Sequence, residues 1–373
     1  MKISCNREQF TQAFQSVAAV APPRSPKPIL QNVKLDIPGG DAPATLTATD
    51  LELSIRCEVE GVEAESPGAI LLPVTRFGQI LRESADAAFR IESDSTKTVV
   101  RGERSTFNLA SEDPGEFPAA EAFDAESFYQ VPAALLKIAI RRTIFATDNE
   151  SSRYALGGVK FENEDGKLLT VGTDGRRLAK MEGPIEQMGS PSPFGDSTIV
   201  PTRSLQLIDR VLADEGPVSI AVQENSMTIS SGKATLSTRL LEGRYPRWRD
   251  VFPQRSESAQ IELAVGPFFS AVRQAAIVTS DDSRGVDFTF GEGMLVLAGR
   301  AAEVGDSRVE MPIGYDGKPI SITLDPRFLI EFLKSLDAEQ SFSLDLVDGD
   351  SAAVARVDDG YAYVIMPLAR DRA

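Results

Sequence analysis

Asp174, Arg176 and Arg177 stand together in "TDGRRLAK" (173–180), an acid followed at once by two guanidinium side chains. An Asp beside two arginines could grip a phosphate, since arginine forks match phosphate oxygens. Three carboxylate pairs, Asp281-Asp282, Asp348 with Asp350, and Asp358-Asp359, offer the hard oxygen donors that a divalent cation takes. Local grammar argues against both chemistries. Asp-Gly inside strand-like sequence is first a turn signal, and the acidic pairs sit at the spacing of hairpin turns. The chain also lacks histidine, the commonest general base and metal ligand. No nucleophile elbow, P-loop or dinucleotide fingerprint occurs. An enzyme using Asp174, Arg176 and Arg177 as a phosphate site is therefore only a rival reading, and no catalytic residue, cofactor or metal site is expected.

The elements that position these residues are written three times. Thr75-Arg76 in "PVTRFGQILRE" (73–83) recurs as Thr202-Arg203 in "VPTRSLQLIDRVL" (200–212) and as Pro326-Arg327 in "LDPRFLIEFLKSL" (324–336). "TATDLELSI" (47–55) matches "VGTDGRRLA" (171–179), and "GEFP" (115–118) matches "GRYP" (243–246). These landmarks agree on a period of about 125 residues, the signature of a repeated structural unit. The third copy has lost the Thr-Asp pair, so the phosphate reading has no counterpart there. Each unit opens with a helical segment (7–20, 132–147, 267–279) and continues through "LQNVKLDI", "LGGVKFEN" or "RGVDFTFG" to the second helix. Alternating Val, Ile, Thr and Phe, broken by Asp-Gly, Glu-Asn and Asp-Ser turns, then close the unit as antiparallel hairpins. Two helices packed on antiparallel sheet make an α+β fold. The Pro-, Gly- and charge-rich joints at 111–127 and 242–259 place domains at 1–125, 126–254 and 255–373.

Composition narrows the class. A hydrophobic content of 42% with 25% charged residues is that of a soluble globular protein. No apolar run reaches the roughly 18 residues of a membrane span, and "MKISCNREQF" lacks the apolar stretch of a signal peptide. The two cysteines, Cys5 and Cys57, fit a reducing compartment and a role as core filler. A net charge of −16 argues against a nucleic-acid binder when taken as a sum. Its distribution points the other way, because the six helical segments carry more Lys and Arg than Asp and Glu. "PAALLKIAIRRTIFAT" (132–147) has Lys137, Arg141 and Arg142 and no acid. On one helix this is an ordinary solvated face. If all six helices share one surface, that surface is basic and would hold phosphates without sequence preference.

Seven stretches in register, "PILQNVKL" (28–35), "ATDLEL" (48–53), "RYALGGVKFE" (153–162), "TDGRRLA" (173–179), "GRYPRWRDVFP" (243–253), "RGVDF" (284–288) and "YVIMPLAR" (363–370), give the whole chain a resemblance. It resembles the beta sliding clamp family, the processivity subunit of bacterial DNA polymerase III. The resemblance implies three repeated DNA-clamp domains per chain and a head-to-tail homodimer forming a six-domain ring with twelve helices lining the hole. It implies a cytoplasmic, non-enzymatic processivity factor that encircles double-stranded DNA without sequence specificity. Implied partners are the polymerase III catalytic subunit, an ATP-driven clamp loader, and translesion polymerases and repair proteins that dock through clamp-binding peptides. A clamp paralogue serving a phage, plasmid or repair polymerase is the alternative.

Residue by residue, the resemblance implies DNA contacts at Arg24 in "APPRSPKP" and at Arg153 with Tyr154. Arg76, Arg82, Lys137, Arg141, Arg203 and Arg210 are added from sign and segment. "TDNESSRY" departs from the family with Asn149 and Glu150, and Ala155 follows where relatives can carry a second tyrosine, so a weaker DNA grip is expected in that loop. The implied peptide pocket comprises Leu156, Thr173, Gly175, Arg176, Leu178, Pro246, Val251, Phe328, Ala353, Val364, Met366, Pro367 and Leu368. Such a pocket would be an apolar groove for Leu and Phe anchors with adaptable walls. "VIMPL" also reads as a last core strand, but Pro367 stops a ladder and leaves Met366 and Leu368 unexplained by that role. The tail from Ala369 to Ala373, with Arg370 and Arg372, would border the pocket or fray. At the implied dimer joint, Phe107 and Leu109 in "TFNLA" meet the partner's Ile277 and Val278. Alternation makes "STFNLA" a strand able to extend a partner's sheet edge.

Overall fold

The computed structural model describes residues 1–40, 42–94, 97–151, 155–252 and 258–369. Its helices lie where apolar residues recur at spacings of three and four, which stack on one face. Arg7–Ala18 buries Phe10, Phe14 and Val17, and Val74–Glu83 buries Phe77, Ile80 and Leu81. Phe77 stands edge-on to Phe10 and Phe14, at 5.8 and 5.1 Å between ring centroids. Asn6 caps the first helix by accepting from the N–H groups of Glu8 and Gln9. The third repeat packs Val265–Ala275 and Pro326–Lys334 in the same manner, with Phe342 between Phe268 (5.7 Å) and Phe332 (5.4 Å). Asp325 caps the second of these and Pro326 opens it.

The middle repeat supplies Ala133–Thr143 and Thr202–Val211. Two segments expected as single helices are divided. The α-helix ends at Thr143 and at Ala275, and each continues as a 3₁₀ turn, Ile144–Ala146 and Ala276–Val278. Tightening of the last turn is the usual way to satisfy terminal carbonyls.

The chain forms two compact units, Met1–Lys137 with Glu186–Pro193 and Arg203–Leu240, and Ile138–Ile185 with Phe194–Thr202 and Leu241–Ala373. In the first, a five-stranded sheet runs Val62–Ser66, Lys2–Asn6, Ala88–Ser93, Lys97–Arg101, Thr106–Ala110. Beside it, a nine-stranded sheet continues from one repeat into the next where Leu53–Val59 pairs with Ala234–Arg239, Ile55 opposite Leu236. The second unit repeats the arrangement with an eight-stranded and a four-stranded sheet. Its inter-repeat seam is Arg177–Pro184 against Tyr361–Ile365, Leu178 opposite Val364. Each seam thus joins the closing strand of one repeat to a strand of the repeat before it.

Two copies of these seam strands remain at sheet edges among the described residues. Thr106–Ala110, the closing strand of the first repeat, ends the five-stranded sheet. Gly305–Pro312, the third-repeat counterpart of Leu53–Val59 and Arg177–Pro184, ends the four-stranded sheet. Cys5 is core, and burial pushes its thiol up to about 12, which leaves it unreactive.

Candidate functional site

The Thr-Asp pairs build the same turn twice. Thr173 Oγ1 donates to the Arg177 carbonyl and accepts from the Gly175 N–H, while Asp174 Oδ1 accepts from the N–H groups of Arg176 and Arg177. Thr49 and Asp50 make the matching bonds with Leu53, Leu51 and Glu52. The third residue has positive φ in both, 79° at Leu51 and 85° at Gly175. Arg177 is 8% exposed. It is paired with Asp174 at 3.1 Å and with Glu331, it donates to the Phe145 carbonyl at 2.7 Å, and its guanidinium lies 4.4 Å from the Phe328 ring centre. A guanidinium so engaged has no fork left for phosphate, which removes the Asp174–Arg176–Arg177 trio as a phosphate site. Members of the acidic pairs are engaged within the protein as well. Asp348 accepts from the Asp350 and Ser351 N–H groups, and Asp359 is paired with Arg142.

Beside this turn lies an apolar floor. Leu178 and Val364 face each other across the seam and pack with Leu169, Val171, Ile199, Tyr245, Trp248 and Val354. Tyr245 is anchored by its hydroxyl to the Val171 carbonyl at 2.7 Å, and Trp248 Nε1 donates to Glu162 at 3.3 Å. Leu156 and Thr173 are buried too. Val251 is 48% and Met366 42% exposed, with Pro246, Pro367 and Leu368 half-buried. The Met366 N–H donates to the Arg176 carbonyl and the Leu368 N–H to the Thr323 carbonyl, each at 2.9 Å. Pro367, which has no N–H, ends the ladder between them. Gly175 leaves open space where a Cβ would stand.

Phe328 and Ala353 are buried, as Leu156, Thr173, Leu178 and Val364 are. Ala353 is fully buried opposite Ile365 and presents no surface. Phe328 is 9% exposed under the guanidinium groups of Arg176 and Arg177. Sequence reasoning omitted Tyr245 and Trp248, which hold the floor. Their signal was their position within "GRYPRWRD", and Trp248 is the sole tryptophan of the chain.

Behind Trp248, a hollow of about 550 Å³ is lined by Lys160, Glu162, Asp196, Arg244, Arg247 and Arg249, among others. Burial works to raise the Glu162 pKa, but hydrogen bonds from Lys160, Arg249 and Trp248 outweigh it and hold the carboxyl below its ordinary value. A carboxyl depressed on folding stabilises above its unfolded pKa, and that stability is lost as pH falls through the folded one. Trp248 emission is therefore expected to stay constant down to about pH 5 and to change below about pH 4. Glu162→Gln should lack that step. A fluorescence titration that finds the same step in the variant would contradict the coupling.

The basic candidates divide. Arg24, Arg76, Arg82, Arg141, Arg203 and Arg210 are exposed. Arg203 is bridged to Asp50 at 3.0 Å. Lys137 departs from expectation: its side chain is 13% exposed and tied to Asp214 at 2.5 Å, so its charge is already answered. Arg142, counted toward the basic face of that helix, is buried, bonded to Asp359 at 2.6 Å and set 4.8 Å from the Tyr361 ring centre. Arg153 and Tyr154 lie outside the described residues. The tail residues Arg370 and Arg372 do as well.

The four joint candidates have contrasting surfaces. Ile277 is 76% exposed, the highest value among the large hydrophobic side chains described, and neighbours the half-buried Val278. Phe107 is half-buried and Leu109 buried on the edge strand. With Arg76, Ile80, Ala85 and Arg104 they line a hollow of about 570 Å³.

Repeated α+β units of two helices on antiparallel sheet, zipped edge to edge, define a protein of the DNA-clamp class. Family models for the DNA polymerase III beta subunit match in order: the N-terminal domain at 1–121, the central domain at 130–247 and the C-terminal domain at 249–369. The chain belongs to this DNA polymerase III beta subunit family. The "Beta sliding clamp" of Chlamydia muridarum is 30% identical over 370 residues, which cover 99% of each chain. The DNA polymerase III subunit beta of Pseudomonas aeruginosa, solved bound to griselimycin, is 26% identical with a TM-score of 0.89 over 99% of this chain and 100% of that one. The DNA polymerase sliding clamp of Bacillus subtilis, 24% identical, shares the fold with a TM-score of 0.89 over 99% of each chain.

Proposed function

We propose that this chain is the processivity factor of a DNA polymerase, a ring of two head-to-tail copies that encircles duplex DNA and tethers its partners through the groove at Met366. Domain limits near 125 and 254 give six clamp domains per ring. The observation that carries this reading is the pair of sheet edges, Thr106–Ala110 and Gly305–Pro312. They are the repeat counterparts of strands that zip the two internal seams, so a second copy supplies what each lacks. Pairing them satisfies the open backbone groups and closes the assembly. The partner's Ile277 would enter the hollow beside Phe107 and Leu109.

Enclosure replaces affinity in such a device. The exposed arginines need only offset phosphate charge without reading bases, while a chain of net charge −16 repels DNA elsewhere. A polymerase held by a peptide in the groove rebinds the primer end at high effective concentration. The chain itself catalyses nothing in this scheme. The replicative polymerase, a loader that opens the ring, and translesion and repair proteins would share the groove in the cytoplasm.

Repeat equivalence accounts for one groove per chain. At the first seam Ser54 stands where Leu178 stands at the second, and Ser237 where Val364 stands. Ser237 donates to Glu121 of the linker at 2.6 Å, and Thr228 does so at 3.4 Å, which gives that seam a polar cover. Primer extension on a long single-stranded template, with polymerase and loader, tests the function. Longer products per binding event are expected when the protein is present, and unchanged product length with a matched loader and polymerase would overturn it.

A further inference from the structure

We propose that Asp50 and Asp214 keep the ring's grip on DNA loose, by holding Arg203 and Lys137 in ion pairs that a passing phosphate opens and the carboxylate closes again. The inference rests on the ring reading above and adds residues that set how freely the ring moves. Both helices of the middle repeat carry such a pair. On Ala133–Thr143 the Lys137 amine meets Asp214 at 2.5 Å, and on Thr202–Val211 the Arg203 guanidinium meets Asp50 at 3.0 Å. Neither acid belongs to the helix whose cation it holds. Asp214 lies just beyond the end of Thr202–Val211, and Asp50 belongs to the Thr-Asp turn of the first repeat. The third repeat makes the same provision. Arg327, at the repeat position of Arg203, is bridged to Asp325 at 2.6 Å and to Asp281 at 3.5 Å.

In each pair one member is fixed and the other is open to solvent. The Asp50 side chain is 9% exposed. Its Oδ1 accepts from the Glu52 and Leu53 N–H groups, which leaves Oδ2 for Arg203, whose side chain is 63% exposed. At the other pair the exposures reverse, 13% for the Lys137 side chain and 95% for Asp214. Ion pairs so open to water are weak, and a phosphate can displace the carboxylate. A ring that moves along DNA must break each phosphate contact before making the next, so the strength of those contacts sets the barrier to a step. A cation released onto a waiting carboxylate gives up less Coulomb attraction than one released into water. Without the carboxylate, the same cation would hold phosphate harder and add a further counterion-releasing contact.

Tracking of single labelled rings on stretched DNA, after loading by a cognate clamp loader with ATP, tests this. Asp50→Asn combined with Asp214→Asn is expected to lower the diffusion coefficient about 4-fold at low salt, about 2-fold for each exposed pair. The difference should shrink at high salt. Asparagine keeps the oxygen that accepts from the Glu52 and Leu53 N–H groups, so thermal melts should agree. If Asp50→Asn nevertheless unfolds the protein, Asp214→Asn alone must show its 2-fold slowing. Adding Arg203→Gln and Lys137→Gln should restore fast diffusion. Glu8→Gln, at an acid of the first helix that makes no ion pair among the described residues, should diffuse as the unaltered protein does. Equal diffusion of the Asp50→Asn, Asp214→Asn variant and the unaltered protein at low salt would overturn the inference and leave the ring standing. Equal slowing by Glu8→Gln would do the same, because overall charge and not pairing would then set the drag. Unaltered protein that fails to load, or binds without diffusing, would remove ring and inference together.

Discussion

Ile277→Lys is expected to run as a monomer at micromolar concentration, where the proposed ring has the unaltered chain run as a dimer. The side chain is 76% exposed in the single chain, so a lysine there places its ammonium in water and should leave the melting temperature nearly unchanged. In the closed ring the same ammonium would sit among Phe107, Leu109 and Ile80 of the neighbouring copy. An unpaired charge buried in this way costs roughly 3–5 kcal/mol, a loss of about two to three and a half decades in association per joint. Two such joints would close the proposed ring, so both copies would carry the penalty. Arg76 and Arg104 border the hollow, as do Glu83 and Asp86, so its rim carries no net charge. Sedimentation velocity with parallel circular dichroism is the check. A variant that stays dimeric would take Ile277 out of the joint.

Met366→Ala combined with Leu368→Ala should weaken binding of a clamp-binding peptide by about 30- to 100-fold, the loss of roughly 2–3 kcal/mol typical of an interface hot spot. Folding should hardly notice. Met366 is 42% exposed, and the bonds that fix this segment, to the Arg176 and Thr323 carbonyls, come from backbone N–H groups that alanine retains. The floor beneath offers the contrast. Leu178→Ala or Val364→Ala would open a cavity in a packed cluster, and large-to-small changes there cost about 2–5 kcal/mol of stability. Calorimetric titration with the peptide, beside thermal melts, separates these behaviours. Unchanged affinity in the double variant would remove the terminal segment from the groove.

The helices and hairpins were legible because their signals are local. Phe10, Phe14 and Val17 announce a helical face by spacing alone, and "VDFTF" announces a strand by alternation. The triplication was legible because Thr-Arg, Thr-Asp and Gly-x-x-Pro landmarks return in order. Lys137 and Arg142 looked like surface charges because their partners, Asp214 and Asp359, are remote in sequence. No spacing rule reaches so far. Trp248 was overlooked because its role depends on a bond to Glu162 and on the floor it shares with Val364. Asp174-Gly175 reads as a turn and Thr49-Asp50 only as its repeat landmark, yet their identity bond for bond, with Leu51 at positive φ where Gly175 stands in the copy, emerges only in three dimensions. Continuity of sheets from one repeat into the next, and with it the meaning of the two remaining edges, belongs to tertiary structure.

The central claim is that the protein holds DNA by encircling it. Labelled protein, a cognate clamp loader and ATP would be mixed with nicked circular DNA, then separated by gel filtration at moderate salt. Half of the sample would first be cut once with a restriction enzyme. Retention on circles and loss from the cut molecules is the predicted result, because a ring slides off a free end. Equal retention on both forms would mean ordinary electrostatic binding, and would contradict the account.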